Sequence, residues 1–421
     1  MKPQRPPVTP AEMEEQPGAQ PSLFRRALLV AATTRAGIFL VGFAGAALIG
    51  IQPGTWARRY PAGAEVFHGV LRYLFNPWAH WDGAWYIKIA LNGYSDADGT
   101  TAFFPLFPLV LRGCGVLFGG NLVLAGISLS LACYAAAMAA LYRLVAAEFG
   151  DRIAYRTVLY LSVFPTTFFF QAVYSESLFL LLAVSCFRWS RAGRWRLAGL
   201  AGLLATLTRS NGVLLLVPVG LMYYESLGWT RRRTDSNVAS LLLIPEGLMA
   251  WMAYLALAFG RPLLFAQSQG QWARSLAAPN DTVWHGIVSA VRGIRQLISH
   301  QTAKLYWPVQ GHGSPYALAV DNLTALVFTA FAGCMLAYGA KRLPLAYSVY
   351  AALAIGFPLL LRGVYQPLLS MPRFELLAFP LFVALAMFTD TRPRAHRAVV
   401  AVSLVLLAAL TVKFAVFAWV A

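Results

Sequence analysis

The chain has 421 residues, 58% of them hydrophobic and only 12% charged, with a mean hydropathy of +0.59. That composition excludes an ordinary soluble globular domain, and repeated apolar runs of about 20 residues indicate an all-α polytopic membrane protein. The formal net charge of +17 does not point to nucleic acid, because most Lys and Arg fall in short loops between apolar runs, where basic residues set topology.

Residues 1–24 are rich in Pro and Gln with mixed charge, and read as a disordered cytoplasmic tail. Residues 25–421 then form a single integral-membrane domain. A first span is expected at Ala27–Gly50, behind Arg25-Arg26. The long loop 51–119 follows. It contains His80-Trp81-Asp82-Gly83-Ala84-Trp85-Tyr86, the first extended polar interruption of the hydrophobic pattern. Within the loop, residues 103–118 carry Pro105 and Pro108 near their start and Arg112 in the middle, and read as an interfacial or re-entrant helix. Further spans are expected at about 121–147, 157–173, 176–190, 197–208, 212–226, 238–260, 320–340, 345–361, 374–390 and 398–420, roughly eleven in all. A second long loop covers 261–319. Several central spans are short, which is tolerable where a helix is buried among others or lines a cavity.

With a cytoplasmic N-terminus, every inside loop is basic: Arg152 and Arg156, then Arg188, Arg191, Arg194 and Arg196, then Arg231-Arg232-Arg233, Lys341-Arg342, and Arg392, Arg394 and Arg397. The same orientation puts Asp82, Tyr174-Ser175-Glu176-Ser177, Thr208-Arg209-Ser210-Asn211-Gly212, the loop 261–319 and Ser370-Met371-Pro372-Arg373-Phe374 on the external face. The residues most costly to place in lipid thus share one side.

Several of them suit chemistry. Asp82 is placed to act as a general base, with His80 near enough in sequence to assist or to bind phosphate; Asp82 equally suits the N-cap of the helix that follows. Glu176 opens a span, where it could orient a base, bind a sugar hydroxyl or simply favour the helix N-terminus. Arg209 and Arg373 sit where a guanidinium needs an anion, either a lipid phosphate or one of those carboxylates. In the second loop, Gln267, Gln271, Trp272 and Arg274 fall on one helical face by their spacing. Val283–His300 is amphipathic and reads as interfacial. Trp272 and Trp307 suit an aromatic belt as well as a ligand platform. Asp96 and Asp98 are weak metal candidates in what is also a polar turn. The six His show no metal-binding spacing, so no cofactor is implied and a divalent metal has no support. The four cysteines read as buried small hydrophobes.

Taken together, the motifs resemble the PIG-V-like mannosyltransferases, relatives of the second mannosyltransferase of GPI-anchor assembly. The resemblance rests on His80-Trp81-Asp82-Gly83 with Trp85-Tyr86 and Gly93-Tyr94, on Phe103-Phe104-Pro105-Leu106-Phe107-Pro108, on Tyr174-Ser175-Glu176-Ser177-Leu178-Phe179 and on Thr208-Arg209-Ser210-Asn211-Gly212. It continues in Ser370-Met371-Pro372-Arg373-Phe374 and Phe379-Pro380. It implies the GT-C architecture, with a catalytic acid in the first external loop and a polyprenyl- or dolichyl-phosphate sugar as donor. Asp82 matches the acidic position. Glu176, Arg209 and Arg373 match polar motif positions, and by their chemistry Arg209 and Arg373 are expected to hold the leaving polyprenyl phosphate. Asn211, Trp81, Trp85 and Tyr86, with Gln267 and Arg274 from the second loop, are expected as further substrate contacts. The last motif departs from the pattern, which has Gly and Tyr around the Arg. The Ala/Arg/Pro-rich composition looks bacterial, and a bacterial member would glycosylate a lipid, glycan or protein at the external face of the plasma membrane. The rival readings are a transporter or flippase for a lipid-linked or small anionic substrate, and a non-catalytic scaffold.

Overall fold

Proline and glycine decide where the long apolar stretches become helices and where they break. The computed structural model describes residues 21–51, 67–230, 236–272, 274–299 and 315–420. The helices in these segments are α1 (Pro21–Ile49), α2 (Leu71–Phe75), α3 (Asp82–Asn92), α4 (Leu106–Leu117), α5 (Leu122–Phe149), α6 (Asp151–Val163), α7 (Glu176–Arg191), α8 (Trp195–Thr208) and α9 (Leu216–Ser226). After them come α10 (Leu243–Phe259), α11 (Leu264–Gln267), α12 (Pro279–Ile298), α13 (Pro315–Gly339), α14 (Leu345–Leu359), α15 (Met371–Phe374), α16 (Phe379–Thr389) and α17 (Pro393–Ala415). The expected all-α polytopic architecture is therefore observed. Its one small sheet pairs β1 (Arg274–Leu276) antiparallel with β2 (Leu361–Gly363), Arg274 opposite Gly363.

The helices pack as a buried bundle. α5 lies on α6 and α7, α7 on α8, α8 on α10, and α1 on α6 and α17. Small residues allow the close crossings: Gly126 faces Val173, and Gly202 faces Ile244. The interior is aromatic, with Phe164, Phe168, Phe169, Phe170, Tyr174 and Phe379 all buried.

Several expected boundaries are corrected. The first helix begins at Pro21, so the last residues of the expected tail are helical, while residues 1–20 lie outside the described residues. The expected span 157–173 ends at Val163. Phe164 precedes Pro165 and takes an extended ψ of 140°, because a residue before proline is disfavoured in the helical region. Thr167–Phe170 then form a 3-10 turn. The expected span 374–390 is broken as well: Met371–Leu377 and Phe379–Thr389 meet at 82°. Pro380, lacking an N–H, starts a helix there and does not continue one.

Residues 106–117 form a helix of about 18 Å, too short for a hydrocarbon core of about 30 Å, with Phe107 and Leu111 buried and Val116 and Leu117 exposed. By length and composition, five described helices can cross a membrane, or six if the bent pair is one span, against the roughly eleven expected. The remaining apolar helices are shorter, and α7 and α16 among them are largely buried in the bundle. Of the cysteines, Cys133 and Cys186 are buried as expected, whereas Cys334 is exposed.

Gly212 makes a close backbone contact in the polar stretch after α8. The chain turns back after Thr208, and a Cβ at Gly212 would overlap the Thr206 nitrogen and the Ala205 carbonyl. Gly212→Ala should therefore destabilise the protein by about 1–3 kcal/mol. Thermal unfolding in detergent would read this as a lowered midpoint; an unchanged midpoint would show that the turn relaxes freely.

Candidate active site

Four polar motifs, separated by up to 291 residues in sequence, meet at helix ends. Asp82 is the first residue of α3 and Glu176 the first of α7, so both carboxylates sit at helix N-termini, where the backbone dipole favours negative charge. Arg209 follows α8 directly, and its own N–H still bonds to Ala205 O, placing its positive charge at a helix C-terminus. Arg373 comes from the short α15, just before the 82° bend.

The charges form a chain. Arg373 Nη1 donates to Asp82 Oδ2 at 2.5 Å, and Arg373 Nε donates to Glu176 Oε1. Arg209 Nη1 reaches the same Glu176 oxygen at 2.7 Å and also donates to Ser175 Oγ at 3.1 Å. Tyr86 OH donates to that Ser175 hydroxyl at 2.8 Å. Burial, which disfavours the phenolate, pushes the Tyr86 hydroxyl up to about 12, so it remains a donor. The Arg373 guanidinium also lies over the rings of Tyr174 (4.6 Å) and Phe169 (5.2 Å). The helix begins at Asp82 itself, with Trp81 in the N-cap position and no side-chain cap bond there, so the capping role open to Asp82 in the sequence is not taken up.

Arg274 enters from β1. Its Nη2 donates to Ser370 Oγ at 3.3 Å, and its guanidinium faces the Phe374 ring at 5.9 Å, where Arg209 faces the same ring at 5.5 Å. Among the described residues it has no carboxylate partner, and its Nε is buried without a hydrogen bond. Burial, and then the neighbouring Arg373 and Arg209 charges, push it down to about 10 against the pull of Asp82. An arginine does not give up its proton in a protein, so this marks a cation short of a counter-ion. Three guanidinium groups face two carboxylates, leaving a net charge of +1 in the cluster.

Other expected residues lie elsewhere or do different work. His80 is buried, and its ring packs on Phe414 (4.3 Å) and Phe417 (4.1 Å); its carbonyl accepts from Tyr174 OH. Trp81 adopts φ 55°, a left-handed backbone costing of order 1–3 kcal/mol, and meets Trp419 edge-on at 5.0 Å. Trp85 packs with Trp272 and Phe103 and so ties the two long loops together. Asn211 is buried beside Arg209, with its Oδ1 unpartnered among the described residues.

Gln267 is exposed and bonds to Arg261, away from the cluster. The single helical face expected for Gln267–Arg274 does not form, because α11 gives way to a 3-10 turn at Ser268–Trp272 and then to β1. Ser268 and Gly270 interrupt it, since serine competes for backbone hydrogen bonds and glycine carries the largest backbone entropy cost in a helix. Asp98 pairs with Lys88 at 2.7 Å and accepts from Thr100 N, while Asp96 is exposed; the polar-turn reading fits them. Trp307 and His300 lie outside the described residues.

Two contributors had not been read from the sequence. Arg35, buried within α1, donates to Thr167 O (2.6 Å), Thr167 Oγ1 (2.9 Å) and Ser162 O (3.2 Å), fixing the break after α6. Thr166 in that break donates to Pro372 O at 2.7 Å, next to Arg373. A lone arginine inside the first apolar run was its signal. The packing of residues 414–420 on His80 and Trp81 had no sequence signal.

Glu176 is fully buried and serves both Arg209 and Arg373, whereas the Asp82 side chain is 23% exposed and serves Arg373 alone. Removing a buried ion-pair partner costs about 3–5 kcal/mol. Glu176→Gln should accordingly lower the unfolding midpoint in detergent more than Asp82→Asn. The reverse order would mean that the buried carboxylate is not what holds the two arginines.

Comparison with known proteins agrees with the motifs. A family model described as Mannosyltransferase (PIG-V) matches residues 58–235. GPI mannosyltransferase 2 of Drosophila melanogaster is 30% identical over 151 residues, covering 32% of this chain and 33% of that protein. GPI mannosyltransferase 2 of Schizosaccharomyces pombe is 29% identical over 163 residues, covering 36% and 33%. The chain thus matches about a third of the length of these curated relatives. The crystal structure of an Archaeoglobus fulgidus oligosaccharyltransferase in the apo form aligns with 94% of this chain and 56% of that one, at a TM-score of 0.46 and 14% identity. Over residues 58–235, which carry Asp82, Glu176 and Arg209, the chain therefore matches the PIG-V mannosyltransferase family that its motifs resemble.

Proposed function

We propose that this protein is an inverting membrane mannosyltransferase of GT-C architecture, taking the sugar from a polyprenyl-phosphate donor and passing it to a hydroxyl of a lipid, glycan or protein. The observation that carries the reading is the pairing of the partly exposed Asp82 carboxylate with a cluster in which guanidinium groups outnumber carboxylates. A base beside excess positive charge suits a reaction in which a hydroxyl loses its proton and a phosphate leaves. By the basic inside loops, the site faces the extracytoplasmic side with the N-terminus cytoplasmic, and the composition suits a bacterial plasma membrane.

Asp82 accepts the proton of the acceptor hydroxyl as that oxygen attacks the anomeric carbon from the side opposite the phosphate. The new oxygen–carbon bond forms as the bond from that carbon to the phosphate oxygen breaks, and the polyprenyl phosphate leaves with the electron pair. Arg373 holds Asp82 in place. Because Arg373 and Arg209 are each paired with a carboxylate, Arg274, which has no carboxylate partner among the described residues, is the cation best placed to meet the departing phosphate. Glu176 positions the two arginines and does not itself need to touch substrate.

The test is transfer of labelled mannose from polyprenyl-phosphate mannose in membranes, with total lipid and protein as the acceptor pool. Asp82→Asn should lower transfer by about 10²–10⁴-fold. Arg274→Ala should raise the donor KM about tenfold or more. Wild-type rates in a well-folded Asp82→Asn protein would remove Asp82 as the base. Flux of a lipid-linked substrate through proteoliposomes with no covalent product would replace the transferase reading with a transporter.

A further inference from the structure

The two long loops meet beside the helix that carries Asp82. The part of the second loop involved is the 3-10 turn Ser268–Trp272 followed by the three-residue β1, and neither is a rigid element by itself. The turn is fastened to the first loop at three points. Thr101 Oγ1 and Ser268 Oγ share a hydrogen bond of 2.7 Å, and both residues are buried. The Trp272 ring meets Trp85 at 5.2 Å and Phe103 at 5.8 Å, edge-on in both cases, while Trp85 stacks on Phe103 at 6.2 Å. Phe265 meets Phe104 edge-on at 5.6 Å. The loops run so close that a Cβ at Gly99 would lie 2.5 Å from Gln271 Oε1.

Arg274 comes two residues after Trp272, and its own strand is tied to β2, with Arg274 opposite Gly363. Among the described residues its guanidinium makes one hydrogen bond, the 3.3 Å contact with Ser370. A long side chain held by a single hydrogen bond takes its position from its backbone, and Trp272 pins that backbone. Trp85 lies on α3, one turn after Asp82. The Trp85–Trp272 contact therefore links the backbone of the cation to the helix that begins with the carboxylate.

In the transfer reaction proposed above, Asp82 works on the attacking hydroxyl and Arg274 on the departing phosphate, on opposite sides of the anomeric carbon. Their spacing has to be fixed, since a misplacement of about 1 Å can cost about 100-fold in rate. We propose that Trp272, Thr101 and Ser268 are positioning residues that hold Arg274 at a set distance from Asp82, so that it meets the phosphate of the lipid-linked donor. The inference rests on the transferase reading, and it gives the clasp between the loops a part in donor binding.

The measurement is mannose transfer in membranes from polyprenyl-phosphate mannose, with total lipid and protein as the acceptor pool and unfolding in detergent as the check on fold. Trp272→Ala should raise the donor KM about tenfold, as Arg274→Ala does. Thr101→Val, which keeps the side chain's size and removes only the hydroxyl, should raise it in the same direction. Trp272→Phe keeps an aromatic contact with Trp85 and should stay within about threefold of wild type. In an Arg274→Ala background, Trp272→Ala and Thr101→Val should each add less than about twofold, because changes that act through one group are not additive. A clasp that only supported the fold would multiply the Arg274→Ala defect, so undiminished effects in that background overturn the positioning role. A wild-type donor KM in both Trp272→Ala and Thr101→Val, beside a raised one in Arg274→Ala, overturns it too and leaves the transferase reading intact. A wild-type donor KM in Arg274→Ala removes that arginine as the phosphate's partner, and the positioning role with it. Absence of transfer by the wild type overturns this inference and the transferase reading together.

Discussion

The ion chain Asp82–Arg373–Glu176–Arg209 is the interaction on which the rest of the site depends. Burying Glu176 completely is tolerable only because two guanidinium groups meet it and a helix N-terminus points at it. Each arginine in turn comes from a place where the helical pattern fails, Arg209 after α8 and Arg373 before the bend into α16. The broken helices are therefore not defects of a membrane bundle. They release charged side chains at the ends of helices, where backbone dipoles favour them, and keep them out of contact with lipid.

The supports of this chain reach across the bundle. Arg35, in the first helix, fastens the segment after α6 through two carbonyls and a hydroxyl, and Thr166 in that segment holds Pro372 beside Arg373. The break at Phe164–Pro165 thus does two things. It ends a helix, and it supplies the polar atoms that fix the backbone next to Arg373. Trp85, Phe103 and Trp272 connect the two long loops in a similar way, with aromatic contact in place of hydrogen bonds.

Within the cluster the arginines are not equivalent. Arg373 and Arg209 are each paired with carboxylates, and Arg274, from the second loop, is left as the desolvated cation without one. This divides the work. Arg373 and Arg209 hold the acidic groups in register, and the role proposed for Arg274 is to meet an anion that arrives with a ligand. His80, adjacent in sequence to the reactive stretch, turns its ring away to carry the aromatic turn after α17.

Hydropathy alone established the all-helical membrane class, because long apolar runs have no other stable home. Costly polar residues at the ends of those runs identified Asp82, Glu176, Arg209 and Arg373, since each needs a counter-ion or water, and the structure joins all four. Local chemistry did not determine the number of crossings, because short helices such as α4 and α8 are apolar whether they face lipid or protein. Nor did it settle which arginine pairs with which carboxylate, or the departure of Gln267 from the site. The contact of Trp419 with Trp81 was equally beyond it. The bonds of Arg373 to Glu176 and Asp82 join residues 197 and 291 positions apart, and only the packing of the bundle brings such partners within hydrogen-bonding or van der Waals distance.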